Sequence, residues 1–284
     1  MQHSGELGLA DAGMGLWAGM GLLALLGFAL GFAINHGSIC TVIATTELVA
    51  EKRSARSIAL VECAAWAALV YAILESSPTM QKGWSPLGYL VPAAMLFGIG
   101  TYVNGACVFG SVGHFGNGDL DFGFTFLGIV AVFYIDSLFG LFPAQPPISA
   151  FLPLGPTLLA IALLAILAVF APGFSITASL GSIVLIPVAG LAIAVCMFGG
   201  SFVSARLAKR RFILKWPTIE TIVRRTVGGV LMGVGALLIP GGNDTLLMIG
   251  FPMGAWQAAL AYALFVGTVA ALIAKFGSMA RAWS

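Results

Sequence analysis

One stretch of the chain decides its fold: Leu96-Phe97-Gly98-Ile99-Gly100-Thr101-Tyr102-Val103-Asn104-Gly105-Ala106-Cys107-Val108-Phe109-Gly110. It starts as an apolar run with Gly-x-Gly spacing, stops at a small polar Asn-Gly pair and becomes apolar again after Cys107. Small residues in apolar helices let helix backbones approach each other closely in lipid. The stretch therefore predicts a membrane helix that is interrupted at residues 104–107.

The same pattern occurs twice more in the chain. Residues 27–34 lead to a polar segment at 35–41, and residues 231–239 lead to a polar segment at 240–245. Residues 35–41, 104–107 and 240–245 are called here the first, second and third breaks. Irregular backbone at membrane depth is tolerated only where it lines a cavity or is buried in protein, and interrupted helices in both halves of a chain indicate a transport site.

The composition agrees with a protein that lies in a bilayer. Of the 284 residues, 60% are hydrophobic and 8% are charged, whereas a soluble domain has roughly 25% charged residues. The formal net charge of +2 is too small to indicate nucleic-acid binding, and the basic residues cluster in loops. The positive-inside rule accounts for those clusters as markers of the cytoplasmic side.

Counting the apolar runs gives the expected number of helices. A crossing needs about 20 apolar helical residues, and eight runs are found, at residues 16–34, 57–74, 87–109, 122–142, 152–170, 178–204, 227–251 and 256–276. Both the Lys52, Arg53 and Arg56 cluster and the basic loop 205–226 should be cytoplasmic, yet five runs separate them. Because an even number of crossings is required, at least one run does not simply cross.

We therefore predict an all-α polytopic membrane protein with about 8–9 transmembrane helices plus short re-entrant helices. The recurring breaks favour two pseudo-symmetric halves, residues 1–145 and 146–284, with the second half containing the basic cytoplasmic loop 205–226. The proline-rich stretch 143–147 separates the halves. The N-terminus is expected outside, because the first span must deliver the basic cluster at residues 52–56 to the cytoplasm.

The breaks are candidate anion sites. A helix that starts at membrane depth has unsatisfied backbone N–H groups and a positive dipole end, both of which attract anions. Cys40 and Cys107 each precede such a start, and a neutral thiol there can donate a weak hydrogen bond to a ligand. The expected substrate path is lined by Cys40, Thr41, Asn104, Cys107, Asn243 and Thr245, with His36, His114 and Asp244 as accessory residues.

Some of the cysteines and glycines have a purely structural interpretation. A buried cysteine is most often a small hydrophobic side chain, which is how Cys63 and Cys196 are interpreted. The Gly-x-Gly runs lack the βαβ unit of a dinucleotide fold and are interpreted as packing glycines. No cysteine pair has the spacing of a zinc site or a redox motif, so neither a metal nor a cofactor is expected.

On these motifs the chain resembles the YeeE/YedE family of sulfur-compound permeases. The most specific matches are His36-Gly37-Ser38-Ile39-Cys40-Thr41, the stretch 98–118 and residues 228–244 after the basic loop. The resemblance implies uptake of thiosulfate or a related anion through an hourglass-shaped protein, in which cysteines at the narrow point pass the ion along. Cys40 and Cys107 match two of the family's functional cysteines. At the third position the chain departs from the family's Gly-Gly-Cys, with Gly241-Gly242-Asn243 or, after a one-residue gap, Pro240-Gly241-Gly242.

The resulting functional prediction is a bacterial inner-membrane transporter, not an enzyme, for a sulfur-containing anion. The missing third thiol leaves sulfite, sulfate, an alkyl sulfur compound and a selenium species open beside thiosulfate. An alternative is a membrane component that exchanges sulfur with a soluble carrier protein docked on the basic loop 205–226. A thiol redox enzyme is the weakest alternative, because that chemistry uses paired cysteines. The oligomeric state and the coupling ion do not follow from the sequence.

Overall fold

The computed structural model of the chain describes residues 21, 24–25, 27–37, 40–73, 79–80, 83–142, 148–149, 191–208 and 214–277. Helix α1 covers residues 27–37. It is followed by α2 (Thr41–Ala50), α3 (Ala55–Ile73), α4 (Leu87–Asn104), α5 (Val108–Gly116), a 3-10 turn at Leu120–Phe122 and α6 (Gly123–Phe139). The second part contains α7 (Leu191–Leu207), α8 (Ile219–Leu238), α9 (Asn243–Thr245), a π-helical turn at Leu246–Gly250 and α10 (Trp256–Phe276).

The described fold is helical, apart from one pair of two-residue strands. Strand β1 (Thr79–Met80) pairs antiparallel with β2 (Ile148–Ser149). Five stretches of the described residues are long and apolar enough to cross a membrane: Gly27–Ala50, Leu87–Gly116, Leu120–Phe139, Ile219–Leu238 and Trp256–Phe276. The chain is therefore a multi-pass membrane protein. The predicted run 152–170 and the first part of the run 178–204 lie outside the described residues, so the predicted count of crossings and the two halves remain predictions.

All three predicted breaks are confirmed as interruptions of helices. Helix α4 ends at Asn104 because Gly105 follows in the left-handed conformation, with φ 80°, which glycine adopts without steric strain. Helix α8 ends at Leu238, and Gly241 has φ 113° before α9 begins. The first break separates α1 from α2, whose N-cap residue is Cys40.

Glycines bring α8 against its neighbours, as their packing interpretation predicts. A Cβ on Gly228 would lie 2.8 Å from Cβ of Asn104 on α4, and one on Gly100 would lie 2.7 Å from the backbone nitrogen of Met232 on α8. The same helix packs along α6, where Gly229 meets the Thr125 backbone. Backbone contacts of this kind fix α4, α6 and α8 as one unit and hold the second break in the protein interior.

Candidate functional site

The first and second breaks meet at two thiols. Cys40 is the N-cap residue of α2 and Cys107 is the N-cap residue of α5, so each thiol lies where an interrupted helix resumes. The Cys107 thiol donates to Cys40 Sγ across 3.5 Å, and both side chains are almost completely buried. Cys107 Sγ also accepts a hydrogen bond from the backbone N–H of Gly110 at 3.4 Å. The thiols of the first and second breaks thus form one buried contact.

Gly110 leaves the space that the thiol contact occupies. A Cβ at this position would lie 2.5 Å from Cys40 Sγ and 3.1 Å from Cβ of Ala106. Real Cβ atoms do not come that close to sulfur without a shift of the neighbouring atoms. A side chain at residue 110 would therefore displace the Cys40 thiol, whereas Gly113, one turn further along α5, has no atom within 4 Å of an added Cβ.

The third break joins the same place through an amide. Asn243, which is 1% exposed, donates from Nδ2 to the hydroxyl of Thr41 at 3.2 Å. Thr41 is the first residue of α2 and directly follows Cys40. The Oδ1 atom of Asn243 is buried and has no hydrogen-bond partner. The third break therefore places a polar amide one residue from the thiol pair, with part of its hydrogen-bonding capacity unused.

Asn104 has a different environment, although the sequence assigned it the same role. Its Nδ2 donates to the carbonyl of Ala106 at 2.7 Å and to the hydroxyl of Ser111 at 3.0 Å. Its Oδ1 accepts from the hydroxyl of Thr125 at 2.7 Å. Both amide hydrogens are therefore used by the second break and the start of α5, and Asn104 shapes the turn that presents Cys107.

Three other predicted residues lie in the third break or on an exposed surface. Thr245 packs against Gly241, and Asp244 lies next to Gly242, so both help to shape the third break. His36 is exposed and stacks on Phe32, with ring centroids 5.7 Å apart. The structure thus brings Thr245 and Asp244 to a break but places His36 on a neighbouring surface.

His114 lies in a polar cluster behind the second break. Its Nδ1 is 3.1 Å from Asp119 Oδ2, and Lys215 Nζ is 3.3 Å from Asp119 Oδ1. Burial alone would raise the pKa of Asp119, but the hydrogen bond with His114 and the neighbouring Lys215 outweigh it and lower this pKa below its usual value. The His114 ring also stacks on Phe122, with centroids 4.6 Å apart. His114 therefore belongs to an ion-pair cluster rather than to the thiol contact.

Arg225 is a buried residue of this region that the sequence analysis did not single out. Its Nε donates to Asp121 Oδ2 at 2.9 Å, and its guanidinium lies 3.6 Å from the centroid of the Phe122 ring. The sequence alone presents it as one basic residue of the segment 205–226. Helical spacing could have identified it, because Arg225 lies three residues before Gly228 and four before Gly229 and so shares their packing face.

A cavity of about 470 Å³ has Thr41 in its wall. Its wall is formed mainly by apolar residues of α2, α3 and α10, with Thr41, Thr45, Ser57 and Tyr262 as polar members. The described residues contain no cluster of His, Cys, Asp or Glu side chains that could hold a metal ion. The chemistry at the meeting point of the breaks is therefore that of two thiols, a hydroxyl and an amide.

Comparison with known proteins finds one family whose pattern covers these breaks. A family model described as sulphur transport matches residues 36–179 and again residues 152–271. The two matches together include residues 36–41 of the first break and all of the second and third breaks. A search of curated proteins finds no match to this chain.

Proposed function

The chain belongs to the YeeE/YedE sulphur transport family, and from that premise we propose that it passes a sulfur-containing anion, thiosulfate or a related species, through the contact of Cys40 and Cys107. The observation that carries the proposal is the 3.5 Å contact of two buried thiols at the starts of two interrupted helices. Family membership supports sulfur transport, and this contact supports the route.

The physical argument starts from the loss of water. An anion that enters a buried constriction needs hydrogen-bond donors in place of its hydration shell. When the Cys107 thiol turns from Cys40 Sγ towards an anion, the Cys40 thiol is released from that contact, and both S–H groups can donate to the same ion. Thiols are weak donors, so the ion is held loosely enough to leave again, which conduction requires.

The amide at the third break favours an oxygen-bearing end of the substrate. Rotating the Asn243 amide by half a turn places Oδ1 on the Thr41 hydroxyl, which then donates, and leaves both amide N–H groups available. An amide N–H is a stronger donor than a thiol and suits an oxyanion better than a soft sulfur atom. Thiosulfate offers both ends, a sulfur atom for the thiols and oxygens for Asn243.

The proposed location is the bacterial inner membrane. Residues 205–226, which include the end of α7 and the start of α8, carry seven basic residues and are assigned to the cytoplasmic side by the positive-inside rule. The same rule assigns the basic cluster at residues 52–56 to that side, which puts the N-terminus outside. In this orientation the second break faces the cytoplasm through the cluster around Asp119. Transport through the protein alone, without a soluble partner, is the form of the function that these contacts favour.

The test is uptake of sulfur-labelled thiosulfate into proteoliposomes that contain only this protein. We expect uptake by the parent and its loss in Cys40→Ala and Cys107→Ala. Cys63→Ala is the matched control, because Cys63 is also buried but packs in a separate core cluster with Leu60 and Leu247. Full uptake in both site variants would refute the route. Uptake that appears only after a sulfur-carrier protein is added would favour the exchange of sulfur with such a carrier.

A further inference from the structure

A second polar group with an unused donor lies on the basic side of the thiol contact. Arg225 is 7% exposed, and its Nη1 atom is buried with no hydrogen-bond partner. A buried guanidinium normally has its donors satisfied, because each unfilled one loses its interaction with water without replacement. An unfilled donor at this position indicates a ligand that the protein alone does not supply.

The unfilled donor points to the second break. A Cβ on Gly105 would lie 3.3 Å from Nη1 of Arg225, and Gly105 is the left-handed residue that ends α4 two positions before Cys107. The absence of a side chain at residue 105 keeps the approach to Nη1 open. Arg225 therefore links the turn that presents the Cys107 thiol to the loop that carries the basic residues.

The guanidinium is held in a fixed orientation by other contacts. Asp121 accepts from Nε only, and Phe122 lies against the guanidinium plane. Fixing Nε and the plane fixes the direction of Nη1, so little side-chain freedom remains to be lost when an anion binds. A planar guanidinium also recognises oxyanions more specifically than a lysine ammonium does.

Charges of both signs surround Arg225. The charged neighbours are Asp121, Asp119 and Arg224, and Lys215 pairs with Asp119. An incoming anion is attracted by the guanidinium of Arg225, while Asp121 weakens that attraction.

We propose that Arg225 is an anion-binding residue that receives a sulfur oxyanion at Gly105, on the basic side of the Cys40–Cys107 contact. The identity of the ligand as a sulfur oxyanion rests on the function proposed above. The site lies where an ion leaving the thiols on the basic side would next find a strong donor. Its partner Asp121 is a positioning residue that limits how tightly the ion is held, so that release remains fast.

The test measures binding directly, apart from transport. Labelled thiosulfate is equilibrated by dialysis with the purified full chain in an uncharged detergent, for the parent, Arg225→Lys and Asp121→Asn. We expect Arg225→Lys to bind about tenfold more weakly, because one charge-assisted hydrogen bond is lost. We expect Asp121→Asn to bind more tightly, because the opposing carboxylate is removed. Arg224→Lys is the matched control and should bind like the parent.

The two variants are expected to change thiosulfate binding in opposite directions, which distinguishes a ligand-binding residue from a purely structural ion pair. If Arg225 and Asp121 only hold the fold together, both variants lose thermal stability and neither binds more tightly than the parent, which overturns the proposal. If Arg225→Lys does not fold, tighter binding by Asp121→Asn is still required. Equal binding by the parent and both variants, or no binding by the parent, also overturns it.

Two further measurements distinguish a lipid headgroup from thiosulfate as the ligand, and a wrong binding site from a wrong transport function. An anionic lipid offers similar oxygens, so the dialysis is repeated with phosphatidylglycerol. If phosphatidylglycerol abolishes thiosulfate binding by the parent but not by Arg225→Lys, Arg225 is a lipid-binding residue. That result overturns the proposal. Thiosulfate uptake by the parent with unchanged binding in all variants rejects Arg225 but retains the transport function, whereas binding without any uptake rejects the transport function.

Discussion

The second and third breaks each contain a buried asparagine, and the two asparagines are bonded differently. Asn104 uses both amide hydrogens and its Oδ1 within its own part of the fold. Asn243 makes one bond, to Thr41, and keeps a buried Oδ1 without a partner. The two asparagines therefore differ in their hydrogen bonding: the amide of Asn104 is saturated and shapes a turn, and we propose that the unsaturated amide of Asn243 is available to a ligand.

The same distinction applies to the other polar groups of the site. The Cys107 thiol is engaged only by weak sulfur contacts, which an anion can replace at little expense. We propose that the unused or weakly used hydrogen-bonding capacity of Asn243 and of the two thiols serves substrate handling.

Joining the two thiols should abolish transport completely. The Cys40 and Cys107 sulfurs are 3.5 Å apart, so diamide, a thiol oxidant, is expected to convert the two thiols into a disulfide and be reduced to its hydrazine. Uptake should stop and return after dithiothreitol. The Cys63→Ala, Cys196→Ala double variant should respond like the parent, and mass spectrometry should find a Cys40–Cys107 cross-link. Continued uptake by fully cross-linked protein would show that the ion takes another route.

A methyl group beside the thiols should narrow the path without removing a polar group. Gly110→Ala places a Cβ 2.5 Å from Cys40 Sγ, and Gly113→Ala meets no atom within 4 Å. Overpacking of this kind costs about 1–3 kcal/mol, and a cost of that size on the barrier to transport lowers uptake roughly 5- to 150-fold. Both changes add the same helix-favouring methyl group to α5. Equal uptake by the two variants would mean that the thiol contact does not limit transport.

The sequence predicts the interruptions of the helices well. Asn104-Gly105 and Pro240-Gly241-Gly242 stop an apolar run for local reasons, through left-handed glycine and a missing proline N–H. Those local reasons act within a few residues, so they appear in the sequence. The Gly-x-Gly runs likewise predict close helix packing, and Gly100 and Gly235 provide it.

The meeting of the breaks could not be predicted in the same way. Thr41 and Asn243 are 202 positions apart, and nothing in either segment specifies the other as its partner. Arg225 was obscured for a different reason, since its charge is fully explained by topology when loop 205–226 is considered alone. Which amide is saturated depends on Ser111 and Thr125 as well as on Asn104, and that is a property of the packed structure.

Replacing the two asparagines should separate stability from selectivity. Asn104→Ala removes an amide that bonds Ala106, Ser111 and Thr125 and should lower the free energy of unfolding by about 1–3 kcal/mol. Asn243→Ala should cost about 1 kcal/mol or less, because its amide makes one bond. Only Asn243→Ala should change the ratio of thiosulfate to sulfate uptake, by about fivefold. Melting in detergent and parallel uptake of both anions measure the two effects.

The opposite results would contradict the roles proposed for Asn104 and Asn243. If Asn243→Ala is the less stable variant and leaves the uptake ratio unchanged, the unpartnered Oδ1 is a feature of packing rather than of substrate handling. If Asn104→Ala alters the ratio at normal stability, the saturated amide takes part in transport. Either result would assign the two asparagines the opposite roles.

The smallest expected effect concerns the ion pairs behind the second break. Asp119 is held by His114 and Lys215, and Lys215 is more than half exposed, so Asp119→Asn should lower the free energy of unfolding by less than about 1 kcal/mol. Because the pKa of Asp119 is lowered in the folded protein, its stabilisation is complete above the unfolded value, about 3.9, and is lost as the pH falls through the folded value. The difference in melting temperature between parent and variant should therefore shrink as the pH falls below about 4. A difference that instead grows below about pH 4 would show that the Asp119 carboxylate is not stabilised by its cationic partners.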